Sequence, residues 1–169
     1  MQKIIERLDE IRKELLDKVS PIDPKTFEKR PAENQWSIAE VIHHLALVEG
    51  HVTKEIEKRL SEPPRSLSTL RRLFQPPLWL VDVRLVKVKA PKRLEPLDVA
   101  PKEQNLKNLV QVRQTLKDLA VKTGRDRLEN IVIPHPFLGD YDGAQFVEFV
   151  GCHETRHLKQ IKEIIAKVG

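Results

Sequence analysis

Cysteine is almost absent from this sequence, since Cys152 is the single one among 169 residues. One cysteine excludes an intramolecular disulfide and a metal site built from several thiolates, and it fits a reducing compartment. Long apolar runs are also absent, because no stretch approaches the roughly 20 residues of a membrane-spanning helix. The first residues mix charged and apolar side chains and lack the apolar region of a signal peptide. We therefore expect a cytoplasmic protein that has no membrane partner.

A large excess of one charge is absent as well, although the net charge is +5. Lysine and arginine alternate with aspartate and glutamate along most of the chain, and the densest basic stretch covers residues 65–93. This stretch contains no known nucleic-acid-binding motif, so we interpret it as a solvated face that can at most help to bind a small anion. The sequence therefore predicts no nucleic-acid partner.

The sequence does contain the patterns of a helical protein. Its composition, 40% hydrophobic and 33% charged, is typical of a globular protein, and its length fits one domain over residues 1–169. Apolar residues at helical spacing predict four main helices, approximately at residues 3–19, 37–60, 101–122 and 142–168. We therefore predict an all-α fold, a four-helix bundle with a long crossover between helices 2 and 3.

The second and fourth helices begin with capping sequences. Ser37 is followed three residues later by Glu40, and Asp142 is followed in the same way by Gln145. Both pairs have the spacing of a capping box, in which side chain and backbone satisfy each other's hydrogen bonds. Trp36, which precedes the first box, is expected to pack as a hydrophobic staple.

The connecting segments give weaker signals. Residues 61–101 are rich in proline and form the crossover; within them, residues 66–74 look helical, and residues 81–88 fit either a strand or a helix. Trp79 is expected to pack this segment onto the bundle. Residues 125–142 are predicted to be a loop, because they contain a proline on each side of His135.

The fourth helix carries two histidines on its apolar face. That face is formed by residues at spacings of three or four, namely Phe146, Val150, His153, His157, Ile161, Ile164 and Val168. His153 and His157 are therefore neighbours on the side that faces the core, roughly 5–6 Å apart at Cβ, so both rings can reach one ion. Two buried neutral histidines with other hydrogen-bond partners remain the alternative on this helix alone.

The second helix adds a third inward imidazole, His44, which shares a face with Val41 and Val48. His43 is rotated by about 100° toward the flank, and His51 lies about 10 Å farther along the axis, too far to share an ion. His51 is therefore a partner of another group, a pocket-wall residue or simply part of an amphipathic helix. Three imidazoles leave open positions on a metal, as in catalytic sites, and they suit zinc, nickel, copper or iron.

Four further residues near these histidines are candidates for weaker roles. Gln160 can orient a ligand histidine, or it can be a polar flank residue. His135 can act as a base, but a structural role in its loop is favoured. Cys152 and Glu154 both adjoin His153 but are rotated away from it, so we expect a small buried residue and a surface residue, respectively.

These residues also resemble a known family. The motif Trp36-Ser37-x-x-Glu40-x-x-x-His44-Leu45, followed by His153-x-x-x-His157-x-x-Gln160-Ile161, is similar to the DinB/YfiT-like metalloenzyme superfamily. Two shorter segments, Lys89-Ala90-Pro91 and His135-Pro136-Phe137-x-Gly139, look like one branch of it. The resemblance extends over nearly the whole chain.

This resemblance implies a four-helix bundle whose metal is held by His44, His153 and His157, and it implies a homodimer. Relatives include S-transferases that use bacillithiol, mycothiol or glutathione, and a mycothiol-dependent isomerase. We therefore expect an enzyme with zinc, nickel or iron that transfers a low-molecular-weight thiol to an electrophilic substrate. The alternatives are a metal-dependent hydrolase, in which His135 or Glu154 assists as a base, and a non-enzymatic, stress-related metal-binding protein.

Overall fold

Four long helices form the frame of the protein. A computed structural model describes residues 1–83, 90–135 and 138–168. The long helices are α1 (Gln2–Val19), α3 (Ile38–Leu60), α5 (Lys102–Thr123) and α7 (Gly143–Val168). The short helices are α2 (Pro24–Glu28), α4 (Thr69–Leu73) and α6 (Arg125–Glu129). Helix α3 packs against α5 and α7, and α7 also packs against α1. The predicted all-α bundle is confirmed, and the four predicted helices differ from the observed ones by at most one residue at each end.

The capping sequences form the predicted bonds. The Ser37 hydroxyl accepts from the Glu40 backbone N–H at 3.2 Å, and the Glu40 carboxylate accepts from the Ser37 N–H at 2.8 Å. At the start of α7, Asp142 and Gln145 make the same reciprocal pair at 2.8 and 3.0 Å. Each box fixes the first residue of a helix that carries candidate metal ligands.

The predicted loop at residues 125–142 is wrong in part, because these residues form α6 and a β-hairpin. Strands β1 (Val132–His135) and β2 (Gly139–Asp142) are antiparallel, with Val132 opposite Asp142 and His135 opposite Gly139. Pro134 argued against a strand, since proline cannot donate a ladder hydrogen bond. In a two-stranded sheet both strands are edge strands, and proline is tolerated there. Residues 136–137 of the sequence motif lie outside the described residues.

The crossover begins as predicted with a helical segment. Helix α4 is shorter than residues 66–74, and it is capped by Ser68, whose hydroxyl accepts from the Arg71 N–H. A 3-10 turn follows at Leu78–Asp82, and a second one occurs at Lys92–Leu94. The prediction for residues 81–88 falls mostly on residues 84–89, which lie outside the described part. Trp79 is 60% exposed and buries little of its side chain, whereas Leu78 and Val81 of the same turn pack against the bundle core.

Two apolar clusters fill the bundle, and a layer of charged side chains lies between them. One cluster includes Leu8 and Leu116, and the other includes Leu15 and Leu109. Along α1, α5 and α7, one buried charged residue separates the members of the two clusters, and on α3 a buried glutamate directly follows Val48 near the same boundary. These four residues, which we call the ionic ring, are Arg12, Glu49, Arg113 and Glu154.

The ionic ring corrects the expected surface position of Glu154, which is only 1% exposed. Its carboxylate accepts from Arg12 at 2.6 Å and from Arg113 at 2.5 Å. The rotation of Glu154 away from His153 was predicted correctly, but that side of α7 is covered by α1 and α5.

None of the described helices is long and apolar enough to cross a membrane.

Candidate metal centre

The structure brings the three predicted ligand histidines together from two helices. Helix α3 supplies His44, and α7 supplies His153 and His157, so that one ligand atom from each ring lies within 4.8 Å of the other two. The ring centroids are 4.5 Å apart for the two α7 histidines, and those of His44 lie 5.3 and 4.9 Å from His153 and His157. The three rings therefore face one common point.

In two of these rings, Nδ1 makes a hydrogen bond, so Nε2 is the nitrogen that can bind an ion. His44 Nδ1 lies 2.7 Å from the Leu94 carbonyl oxygen, and His157 Nδ1 lies 2.9 Å from Gln160 Oε1. Both partners are acceptors, so each Nδ1 donates its hydrogen and each Nε2 keeps a lone pair. Such outer bonds are typical of metal-binding histidines.

The spacing of the ring nitrogens fits a shared ion. His153 Nε2 and His157 Nε2 are 3.2 Å apart. Two imidazole nitrogens bound tetrahedrally to one zinc ion, each at about 2.0–2.1 Å, are separated by roughly 3.3 Å. The donor set and this separation suit a divalent transition metal such as zinc, nickel or iron.

Burial favours the neutral form of His44 and His153, which is the form of an imidazole that binds metal. Burial lowers the pKa of His44. Burial, and then the neighbouring His157, His44 and Arg156, hold the pKa of His153 well below its ordinary value. At neutral pH each of these two rings therefore has one nitrogen with a lone pair that can bind a metal ion.

The surroundings of the three histidines are aromatic on two sides. The Trp36 ring lies 4.9 Å from that of His44, and the Phe149 ring stacks on that of His153 at 5.6 Å. His44 and His157 are buried, whereas His153 is partly exposed. Trp36 was predicted only as a hydrophobic staple, although its position four residues before Glu40 and eight before His44 was a usable signal.

The other candidates lie around the centre but outside it. Gln160 contacts His157 directly, as an orienting residue would. His135 ends β1, and its ring lies 5.1 Å from that of Phe149; burial lowers its pKa. His51 contacts Arg93, whose Nη2 lies 3.0 Å from His51 Nε2. His51 is thus a partner of the crossover and not a member of the triad.

The crossover contributes to the site at two successive residues of its second 3-10 turn. Arg93 contacts His51, and the Leu94 carbonyl accepts from His44. Both contacts lie on α3, so the crossover holds one of the three imidazoles in its orientation. The contact of Leu94 was not predicted, because every residue has a backbone carbonyl and the residue type does not show which carbonyl accepts a hydrogen bond.

The carboxylates closest to the ligands in sequence are all held by arginine. Glu40 accepts from Arg30 and from the Ser37 N–H. Glu49 and Glu154 belong to the ionic ring. The residue suggested as a base for hydrolysis, Glu154, is therefore a buried ion-pair partner.

Comparison with known sequences agrees with this geometry. The sequence model of the DinB superfamily matches residues 7–161. The chain is also 30% identical over 161 residues to the uncharacterized protein YuaE of Bacillus subtilis (strain 168), and the match covers 95% of this chain and 96% of YuaE.

Solved structures with the same fold are more distant in sequence. One is YfiT from Bacillus subtilis, described as a probable metal-dependent hydrolase with an unusual four-helix bundle topology. It matches with a TM-score of 0.70 and 15% identity, over 98% of this chain and 85% of YfiT. The four-helix bundle protein TT2238 matches with a TM-score of 0.63 and 23% identity, over 96% and 98% of the two chains.

Proposed function

This chain belongs to the DinB superfamily, and from that premise we propose that it is an enzyme dependent on one divalent transition metal ion held by His44, His153 and His157. The observation that carries the proposal is the 3.2 Å separation of His153 Nε2 and His157 Nε2 beside the buried His44 ring. Three protein ligands would leave coordination positions for a substrate, as catalytic sites do.

One neighbouring cation, Arg156, would favour an anionic ligand at the centre. When bound, the ion would supply Lewis-acid chemistry that lowers the pKa of a thiol or of water. Arg156 contributes positive potential, as its effect on the pKa of His153 indicates. The Leu94 carbonyl and Gln160 keep two imidazoles oriented.

For the reaction, we propose the transfer of a low-molecular-weight thiol to an electrophile. The thiol sulfur would form a bond to the electrophilic carbon, and the leaving group would depart with the thiol proton. A thiol ionises far more readily than water, so this reaction places little demand on a protein base. The pairing of Glu40, Glu49 and Glu154 with arginines fits that low demand.

Hydrolysis is the second candidate, and one contact favours it. His135 has a pKa lowered by burial, so its imidazole is neutral, and its ring packs against Phe149 beside His153. A neutral imidazole there can accept a proton from water. The description of YfiT as a probable metal-dependent hydrolase points to the same reaction.

The first experiment is metal analysis of tag-free protein by elemental mass spectrometry. We expect about one zinc, nickel or iron per chain, and we expect the metal to be lost in the His153→Ala His157→Ala variant. His43→Ala is the matched control, because His43 adjoins His44 but is not part of the cluster. Folded wild-type protein that remains metal-free after reloading contradicts the site.

The second experiment separates the two reactions on the metal-loaded protein. Bacillithiol, mycothiol and glutathione are each offered with an electrophilic aryl halide, and ester and amide probes are offered without thiol. Thiol-dependent turnover that requires the metal supports the transferase. Thiol-independent cleavage that His135→Ala reduces supports the hydrolase, and stoichiometric metal with neither activity supports a non-enzymatic role.

We also propose that two copies associate through an apolar face of the crossover. All five residues of α4 are exposed, and Leu70, Leu73 and Phe74 lie on one side of it at 67%, 76% and 77% exposure. Contiguous exposed apolar surface of this kind marks interaction sites. Two arginines beside it, Arg71 and Arg72, are paired with Asp140 and Asp142, so two such faces can meet without strong repulsion.

A further inference from the structure

Among the described residues, the ionic ring is a cluster of buried charges that the proposed chemistry does not use. Each carboxylate contacts both guanidinium groups: Glu49 accepts from Arg12 at 2.7 Å and from Arg113 at 2.5 Å, and Glu154 accepts from the same two at 2.6 and 2.5 Å. The four residues come one each from α1, α3, α5 and α7. The ring thus joins all four long helices at a single level of the bundle.

The remaining donors of the ring are also satisfied. Arg12 Nη1 donates to the Leu109 carbonyl at 2.5 Å, and Arg113 Nη1 donates to the Leu8 carbonyl at 2.6 Å. A closed, neutral and hydrogen-bonded ring contributes little net stability compared with apolar side chains of similar volume. Its planar guanidinium groups, in contrast, restrict the positions of both carboxylates strongly.

The ring lies close to the metal ligands on both of the helices that carry them. Glu154 directly follows His153 on α7, and Glu49 is five residues after His44 on α3. Five residues correspond to about 7.5 Å along a helix axis. A shift of α7 along α3, or a rotation of either helix, would therefore break the ring and separate the imidazoles together.

We propose that Glu49 and Glu154, held by the shared guanidinium groups of Arg12 and Arg113, are positioning residues that set the register of α3 against α7 and so align His44 with His153 and His157. This inference rests on the proposed metal site and adds the residues that determine its geometry. Groups hydrogen-bonded directly to metal ligands typically change metal affinity by about 10–100-fold. For residues that act through the helix register, we expect an effect of about 10-fold or more, because a register shift displaces whole imidazoles.

The test replaces the whole ring with apolar residues, as Arg12→Met Glu49→Leu Arg113→Met Glu154→Leu, so that no buried charge is left unpaired. Zinc affinity is measured by competition with a chromophoric chelator, and the visible spectrum of the cobalt-loaded protein reports the ligand geometry. We expect a folded variant, with an apo melting temperature near that of the wild type, that binds zinc at least 10-fold more weakly and has an altered cobalt spectrum.

A surface ion pair on the same helix is the matched control. Lys162 of α7 bonds Glu14 of α1 at 2.8 Å, and both side chains are about half exposed. The Lys162→Met Glu14→Leu variant is expected to keep wild-type zinc affinity. A folded ring variant with zinc affinity and cobalt spectrum equal to the wild type overturns the positioning role and leaves the metal site intact.

A milder variant decides the question if the apolar ring does not fold. Arg12→Lys keeps the charge but cannot hold two carboxylates in a planar fork. Zinc binding weakened several-fold in the folded Arg12→Lys variant supports the proposal, and unchanged binding overturns it. Wild-type protein without zinc binding overturns the proposed metal site itself, and with it this inference.

Discussion

Each imidazole of the candidate metal centre has a specific reason for its orientation. His44 is held by a carbonyl of the crossover, and His157 is held by Gln160 one turn later on the same helix. His153 instead packs on Phe149 and remains partly exposed. Of the three residues, His153 is therefore the least buried.

Cys152 adjoins this ligand, yet its thiol is expected to be unreactive. The side chain is 2% exposed, and burial, followed by the nearby Asp82, raises its pKa from the usual 9.0 to about 11. At pH 8, a thiol of pKa near 11 is ionised to only about one part in a thousand. We predict slow reaction with a disulfide reagent at pH 8, followed spectrophotometrically, and a rate that rises steeply toward pH 10.

The same pKa shift predicts a loss of stability at high pH. Because the folded thiol has the higher pKa, its contribution is complete below about pH 9 and decreases as the pH rises through 11. The Cys152→Ala variant should lack this dependence in urea titrations between pH 8 and pH 11. Rapid labelling of the native protein at pH 8 would contradict a buried thiol.

The sequence predicts the ligands but not the charged residues around them. The α-helical period alone places His44, His153 and His157 on inward faces, since each face is read from residues three and four positions apart. Glu49 and Arg12 are 37 residues apart, and Arg12 and Glu154 are 142 apart. Pairs so far apart in sequence cannot be recognised from a local pattern. A single charged residue on the flank of a helix is usually solvated, so the sequence predicted a surface position for Glu154.

At the scale of elements, local chemistry predicts the helix ends well. The capping boxes that begin at Ser37 and Asp142 are read directly from pairs of residues three positions apart. The hairpin is harder, because its strands have four residues each and one contains Pro134. Short edge strands depend on packing against the bundle, and that packing cannot be predicted from the residues of the strands alone.

Two glycines in the long helices should respond oppositely to alanine. A Cβ at Gly50, in the middle of α3, would meet nothing within 4 Å, so Gly50→Ala should raise the free energy of unfolding by about 0.5–1 kcal/mol. A Cβ at Gly143, at the start of α7, would lie 2.7 Å from Ile131 Cδ1 and 2.9 Å from the Leu128 carbonyl oxygen. Gly143→Ala should therefore destabilise by about 1–3 kcal/mol.

Urea unfolding of both glycine variants, followed by circular dichroism, checks this pair. Each variant is the control for the other, since both replacements add one methyl group to a helix. A loss of stability in Gly50→Ala, or an unchanged Gly143→Ala, would show that the packing around these helices differs from that described.

At the scale of the whole molecule, the crossover has more than a connecting role. One end of it carries α4 with its exposed apolar face, and the other end supplies the carbonyl of Leu94 to His44. The length and the proline content of residues 61–101 predicted that it would not be a short turn. They did not predict which part touches α3, because that depends on the positions of the helices it spans.

The proposed association through α4 makes a direct prediction about molecular mass. Leu73→Asp Phe74→Asp places charges on the apolar face, and two copies of it would then repel each other. We expect the wild type to be a dimer by light scattering coupled to gel filtration, and the variant to be a monomer with an unchanged circular dichroism spectrum.

A charge introduced elsewhere on the surface provides the control for this prediction. Val110→Asp changes an exposed apolar residue of α5, 48% exposed, that lies outside the crossover. It should leave the dimer intact. A monomeric wild type, or a dimer that survives Leu73→Asp Phe74→Asp, would exclude this face as the contact.

The two tryptophans occupy unlike surroundings, which gives the protein two optical reporters. Trp36 is half-buried with its ring 4.9 Å from His44, whereas Trp79 is 60% exposed in the crossover. Fluorescence from Trp36 should be blue-shifted and quenched by a paramagnetic ion at the histidines. Emission from Trp79 should be red-shifted and sensitive to covering of the crossover. Metal binding at the histidines and association of two protein copies can thus be followed separately in one unlabelled sample.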